Sequence, residues 1–198
     1  MPVNVKLVAE AEFPTQFGDF RIHGIEAEVD GQTEELVAVR MGDLRSGPPP
    51  LLRIHSQCLT GDVFHSLRCD CRAQLEMALR MVAEEGRGLV IYEQKEGRGI
   101  GLVNKIRAYE LQDHGADTVE ANERLGFDAD MRDFSVHGHI LRALGIPAVR
   151  LLSNNPDKIA ALEAAGIQVV ERVPIIVDPT ETTEFYMQTK KEKLGHLL

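Results

Sequence analysis

Three cysteines, Cys58, Cys69 and Cys71, are all that the chain contains, and they sit together in the run HSQCLTGDVFHSLRCDC. Thiolate sulfur is a strong zinc ligand. A structural zinc closes its shell with four protein ligands, whereas a catalytic zinc uses three and leaves the fourth place to water or substrate. The count therefore points to an open zinc centre. Two other readings of the spacing stay open: cysteines buried merely as small apolar residues, and a closed site completed by His55, His65 or a more distant histidine.

Three further runs carry chemistry. The stretch QKEGRGIG, residues 94–101, joins a predicted strand to a predicted helix. Backbone amides and the helix dipole make such a junction an anion site, and glycine lets a ligand approach the chain closely. It lacks the lysine-serine pair of a P-loop and the glycine spacing of a dinucleotide fingerprint. Glu96 and Arg98 flank Gly97, and Lys105 and Arg107 follow on the helix. These last two read equally well as anion-binding groups and as a solvated helix face. In DADMRDF, residues 128–134, Asp130 and Arg132 have the same parity along an extended segment, so both side chains point towards one cleft. Asp133 reads as the N-cap of the next helix. In SNNPDK, residues 153–158, Pro156 suits a first helical turn and Lys158 is placed to meet a phosphate.

The elements that must position these runs follow from periodicity and turn chemistry. Residues 5–11, 20–25 and 36–40 alternate as strands, with Asp30-Gly31 as the hairpin signal between the second and third. SGPPP at 46–50 breaks the chain, and a short strand at 51–55 delivers Cys58 on the loop beyond it. Leu75, Ala78, Leu79 and Val82 recur at helical spacing and Gly86 stops that helix, so the sequence predicts a helix over 71–85 with Cys69 and Cys71 at its amino end. A strand at 89–92, a helix at 102–113 and a shorter helix capped near Thr118 come next. The pattern then alternates: helix to Leu144, strand 149–152, helix 156–165, strand 168–173, and a last polar helix at 182–194. Such alternation predicts an α/β fold whose mixed sheet carries helices on both faces, preceded by a small antiparallel N-terminal sheet, in a single domain over residues 1–198.

Composition narrows the function classes. With 198 residues and 43% hydrophobic content the chain supports one soluble core. No run approaches the roughly 20 apolar residues that span a bilayer, and an odd, small number of cysteines suits reduced thiols in the cytoplasm. The formal charge of −9 disfavours nucleic acid, so a phosphate-bearing ligand has to be held by a local basic cluster.

Taken together, RIHSQCLTGDVFHSLRCDC, EGRGIGLVNKIRAYELQDHGADTVEAN, DMRDF and LLSNNPDK resemble GTP cyclohydrolase II along essentially the whole chain. The resemblance implies zinc-dependent hydrolysis of the guanine imidazole ring of GTP, releasing formate and pyrophosphate as the first step towards riboflavin. It places one Zn²⁺ on Cys58, Cys69 and Cys71, and Mg²⁺ on the substrate triphosphate. It assigns substrate contacts to Arg53, Ile54, His55, Ser56, Gln57, Gln74, Glu96, Gly97, Arg98, Thr118, Ser153 and Lys158, and catalysis to Asp130, Arg132 and Tyr109. Asp130 is the implied acid-base group, Tyr109 the residue that positions the second water, and Glu96 with Gln74 the pair that selects guanine. The family pattern makes the counterpart of Arg132 a nucleophile, although a guanidinium that stays protonated suits charge stabilisation better. The resemblance further implies a stand-alone cytoplasmic homodimer. Three departures stand out: Gln57 replaces a glutamate beside the first cysteine, Gly99 stands where asparagine is frequent, and Ser153 replaces a threonine. A zinc deaminase is the nearest rival in chemistry, but its H-x-E and P-C-x-x-C signatures are absent. A catalytically silent guanine-nucleotide module with a structural zinc is the rival from another class.

Overall fold

The computed structural model describes residues 3–29, 31–178, 183–193, 195 and 197. Seven strands form one sheet: β1 (Asn4–Thr15), β2 (Gly18–Val29), β3 (Gln32–Met41), β4 (Leu51–Ser56), β5 (Gly88–Glu93), β6 (Ala148–Leu152) and β7 (Gln168–Val173). The helices are α1 (Leu59–Asp62), α2 (Cys71–Glu85), α3 (Leu102–Asp113), α4 (Thr118–Arg124), α5 (Ser135–Ala143), α6 (Pro156–Ala164) and α7 (Glu184–Lys193). A 3-10 turn covers Glu96–Gly99. The chain divides into two compact units: residues 1–55, 76–94 and 133–175 form the first, and residues 56–75, 95–132 and 176–198 the second.

The first unit holds the sheet, in the order β1-β2-β3-β5-β4-β6-β7. β1, β2, β3 and β5 pair antiparallel, while β4, β6 and β7 run parallel. The expected N-terminal antiparallel strands are present, and pairing of β3 with β5 continues them into the rest of the sheet. They are also longer than the strict alternation suggested, because a ladder can extend through polar residues once both flanking strands are in register. Asp30 of the expected hairpin lies outside the described residues; its neighbour Gly31 has φ +78°, as a tight hairpin turn requires.

Leu51 to His55 in β4 are all buried, as are Leu89, Val90 and Ile91 in β5, the pattern of strands covered on both faces. The core gathers Leu52, Ile54, Leu89, Ile91, Ile140, Leu141 and Leu151 with Ile25 and Leu36. Helix α6 starts as expected: Asn155 accepts from the Asp157 amide at 2.9 Å and Pro156 opens the first turn. Gly138 of α5 is needed for a close approach, since a Cβ there would lie 2.2 Å from the Ala165 Cβ.

Two caps differ from expectation. Helix α4 is capped by Asp117, not Thr118: the Asp117 carboxylate accepts from the Val119 and Glu120 amides while Glu120 reaches back to the Asp117 amide. A carboxylate serves both amides and the helix dipole better than a hydroxyl does. Asp133 lies one residue too early to cap α5, whose N-cap is Phe134. Instead it forms a local turn, accepting from the Ser135 amide at 2.8 Å. The final helix, expected over 182–194, spans Glu184–Lys193; Thr182 and Leu194 lie outside the described residues.

In the second unit, α7 lies against α4, and Lys193 bonds Asp117 and, at 3.1 Å, Glu120. Burial resists ionisation of Asp117, but the Lys193 and backbone hydrogen bonds outweigh it and lower its pKa below the ordinary 3.8. A depressed folded pKa stabilises above the unfolded value and loses that contribution as pH falls through the folded one. Amide exchange in α7, corrected for intrinsic rates, should therefore be pH-independent above about pH 4 and accelerate below it, and Lys193→Ala should abolish that dependence. In the first unit, Gly138→Ala should lower the Tm, because overpacking costs about 1–3 kcal/mol against a helix-propensity gain of about 1 kcal/mol. Ala165→Gly in the same chain should recover most of the loss.

Candidate active site

The three sulfurs come together in the second unit, with their Sγ atoms all within 4.8 Å of one another. Cys58 and Cys69 are 3.6 Å apart. A tetrahedral zinc with sulfur ligands at about 2.3 Å places those sulfurs roughly 3.8 Å apart, so the spacing fits the metal. Among the described residues no histidine or carboxylate joins the cluster. His65, one of the fourth ligands considered from the sequence, has its Nε2 2.7 Å from Arg72 Nη1.

Local structure explains the convergence. Cys58 is the N-cap of the short helix α1, and its amide donates to Asp62 at 3.0 Å. Cys71 opens α2. Between them, buried Gly61 forms a floor under the sulfurs: a Cβ there would sit 2.9 Å from Cys69 Sγ and 3.1 Å from Cys58 Sγ. No side chain other than hydrogen fits. The sulfurs also share charge unequally. Hydrogen bonds from Cys69 and Cys71, aided by Lys105, hold the Cys58 pKa far below its usual range. The Cys69 thiol is pushed up to about 11 by its bond with Cys58, and Cys71 is raised further by the same neighbours and by burial. Three adjacent thiolates therefore need a cation among them, which is the chemistry of a metal-binding donor set.

Lys105 was one of two ambiguous cations on α3, and the structure separates them. Arg107 is exposed and bonds Asn104 of its own helix. The Lys105 side chain is only 12% exposed, 3.1 Å from Cys58 Sγ and 2.6 Å from Glu96 Oε1. Burial alone would favour the neutral amine, but Glu96 and Cys58 raise its pKa and keep it charged. Thr60 adds a further link, since its hydroxyl is 3.0 Å from Tyr109 Oη and 3.7 Å from Cys58 Sγ. The Tyr109 ring lies under Arg68 at 4.8 Å and Lys105 at 5.7 Å. Burial keeps its hydroxyl protonated by raising its pKa. Sequence reasoning missed Gly61, Thr60 and the interior role of Lys105. The only available signal was their position within three residues of a cysteine or on one face with Tyr109.

The glycine-rich loop is knitted to the Asp130 segment in the same unit. Gly97 and Arg98 have φ of +61° and +62°, a left-handed pair that turns the chain ahead of α3. The Arg98 carbonyl accepts from the Met131 amide at 3.1 Å. Asp130 and Arg132 do share one side of their segment, where they bond each other: Arg132 Nε donates to Asp130 Oδ1 at 2.8 Å and Nη2 to Oδ2. Arg132 Nη1 also donates to Ser56 Oγ at 3.1 Å. Burial opposes the charge on Asp130, yet Arg132 prevails and lowers its pKa. Arg98 Nη1 is enclosed and has no hydrogen-bond partner among the described residues. Gln74 is buried and donates to Asp70 at 2.6 Å; Gln57 is half-buried beside Cys58, and Thr118 is the first residue of α4.

The remaining expected residues belong to the first unit. Arg53 donates to the Leu152 carbonyl at 3.0 Å, Lys158 to the Ile54 carbonyl at 2.9 Å, and His55 stacks on Tyr92 at 5.4 Å. The Ser153 hydroxyl accepts from the Asn155 amide at 3.1 Å. All five of Arg53, Ile54, His55, Ser153 and Lys158 are buried.

Comparison with known proteins gives this constellation a family. The family model "GTP cyclohydrolase II" matches residues 6–174. The GTP cyclohydrolase-2 of Azotobacter vinelandii is 56% identical over 196 residues, covering 99% of this chain and 93% of that protein. That of Yersinia pseudotuberculosis is 55% identical, covering 99% of each. The riboflavin biosynthesis protein RibBA of Aquifex aeolicus is 54% identical over 194 residues, and there the chain spans only 47% of its relative's length. The chain is thus an enzyme of the hydrolytic class that its site chemistry suggests. It belongs to the GTP cyclohydrolase II family. No helix among the described residues is long and apolar enough to cross a membrane.

Gly61→Ala should weaken zinc binding by at least about 10-fold in competition with a chromophoric chelator, while the far-ultraviolet circular dichroism stays unchanged.

Proposed function

We propose that this chain hydrolyses GTP to 2,5-diamino-6-(5-phospho-D-ribosylamino)pyrimidin-4(3H)-one, formate and pyrophosphate, the first step of riboflavin biosynthesis. The observation that carries this reading is the three-sulfur cluster, with Lys105, Thr60 and Tyr109 in contact around it. The names of the relatives supply the substrate and the pathway. Bound by Cys58, Cys69 and Cys71, zinc would supply a Lewis acid and an acidified water for attack at C8 of guanine.

The side chains do the rest. Ring opening takes a proton from the attacking water and returns one to the departing ring nitrogen, and the resulting formamide consumes a second water to release formate. Asp130 is the acid-base group we assign; Arg132 lowers its pKa, so it enters the reaction as the carboxylate. Tyr109, with its hydroxyl protonated, orients the second water. Pyrophosphate leaves when a third water attacks the α-phosphorus. There Arg132 stabilises charge and does not act as a nucleophile, because its guanidinium stays protonated and is already aligned by Asp130 and Ser56. Arg98, with an enclosed and unsatisfied Nη1, supplies a donor for phosphate oxygen. Mg²⁺ on the triphosphate neutralises the leaving group. Arg53, Ile54, His55, Ser56, Gln57, Gln74, Glu96, Gly97, Thr118, Ser153 and Lys158 are the further substrate contacts we assign. A cytoplasmic homodimer is the assembly we assign to it.

Zinc-loaded protein given GTP and Mg²⁺ should release formate and pyrophosphate over many turnovers. The product mass should match the diaminopyrimidinone. Cys69→Ser should lose metal and ring opening together, and Asp130→Asn should lower turnover by about 10²–10⁴-fold. Formate no greater than the enzyme present would instead support a silent nucleotide-binding module.

A further inference from the structure

Glu96 is expected from its family position to touch substrate, yet its carboxylate is already engaged inside the second unit. Its side chain is 7% exposed. Oε2 accepts from the Leu59 amide at 2.6 Å, while Oε1 accepts from the Gly97 amide at 3.0 Å and from Lys105 Nζ at 2.6 Å. A carboxylate offers about four acceptor positions, and three are filled. The donors come from three different segments: the turn after Cys58, the glycine-rich loop and α3. Lys105 in turn donates to Cys58 Sγ at 3.1 Å, which closes a ring through Glu96, Leu59 and Cys58.

We infer that Glu96 and Lys105 are a positioning pair for the sulfur centre: Glu96 fixes the turn that carries Cys58, and Lys105 keeps a positive charge on the Cys58 sulfur. The inference rests on the reading of the three cysteines as a metal centre. A cation hydrogen-bonded to one sulfur withdraws electron density from it, so that sulfur donates less to a bound metal and the metal stays more electrophilic. The Gly97 contact ties the glycine-rich loop to the same carboxylate, so loop placement and sulfur placement are mechanically one feature. Guanine selection then falls to groups other than the Glu96 carboxylate. Lys105 acts through Cys58.

The test uses Co²⁺ in place of zinc, since its sulfur-to-cobalt charge-transfer band reads thiolate donor strength without turnover. Lys105→Met should move that band to lower energy, because the uncompensated sulfur gives up an electron more readily. Lys105→Arg should leave it near the wild-type position. In the zinc enzyme, Lys105→Met should lower kcat by about 10- to 100-fold with KM for GTP within twofold. Glu96→Gln should also lower kcat, but leave the preference for GTP over inosine triphosphate, which lacks the exocyclic amine, within twofold. A band that does not move in Lys105→Met carrying one cobalt per chain overturns the inference, as does a tenfold loss of that preference in Glu96→Gln. If Lys105→Met does not fold, Lys105→Gln gives the same reading with a smaller shift, and an unmoved band there is equally fatal. Wild-type protein that takes up no cobalt at one per chain would sink the metal reading itself, a result distinguishable from the others.

Discussion

Mutual repulsion among three sulfurs is the constraint around which the second unit is built. Brought within 4.8 Å, the thiols of Cys58, Cys69 and Cys71 cannot all ionise unless positive charge stands beside them. Lys105 touches Cys58 and helps to hold its pKa below the usual thiol range. The surrounding groups answer to that geometry. Gly61 is hydrogen where any side chain would displace a sulfur, α1 orients Cys58 as its N-cap, and α2 starts at Cys71. A donor set that needs a dication to be satisfied is built to bind one, and its affinity is coupled to folding of the unit that holds it.

The chain carries a net charge of −9. Against that background each unit holds buried or half-buried cations, each aligned by a dedicated acceptor. Arg132 is fixed by Asp130, Lys105 by Glu96, Lys158 by the Ile54 carbonyl and Arg53 by the Leu152 carbonyl. Charges removed from water and held in place act at lower effective dielectric than mobile surface lysines do. The acceptors prevent the desolvation cost from expelling them.

The first unit is held by its sheet. Its central strands β4 and β5 are largely buried, β4 ends at Ser56, and β6 leads directly into Ser153. Strand ends on a well-packed sheet move little, so groups placed there keep their geometry without a large loop of their own. The ladder from β1 through β5 is antiparallel and the β4, β6, β7 portion parallel, with Arg53 and Ser153 both on the parallel side.

Much of this was legible in the chain because it depends on local rules. Helices α2 and α3 and strand β7 have the bounds that periodicity and glycine stops gave, since helical spacing and left-handed stop residues act over a few positions. Family motifs carried the cysteines, Asp130 and Arg132. Rotation of each helix about its axis was not legible. Lys105 and Arg107 are separated by about 200° on α3, and nothing in composition says which one faces sulfur; packing of α3 decides it. The same holds for Gly61, whose role needs the positions of all three sulfurs, and for Glu96, whose oxygens meet donors from segments distant in sequence. Residue identity thus determined which groups were available for chemistry. Only the tertiary arrangement decided which of them touch, because contacts between distant segments depend on how whole elements pack and not on any neighbour along the chain.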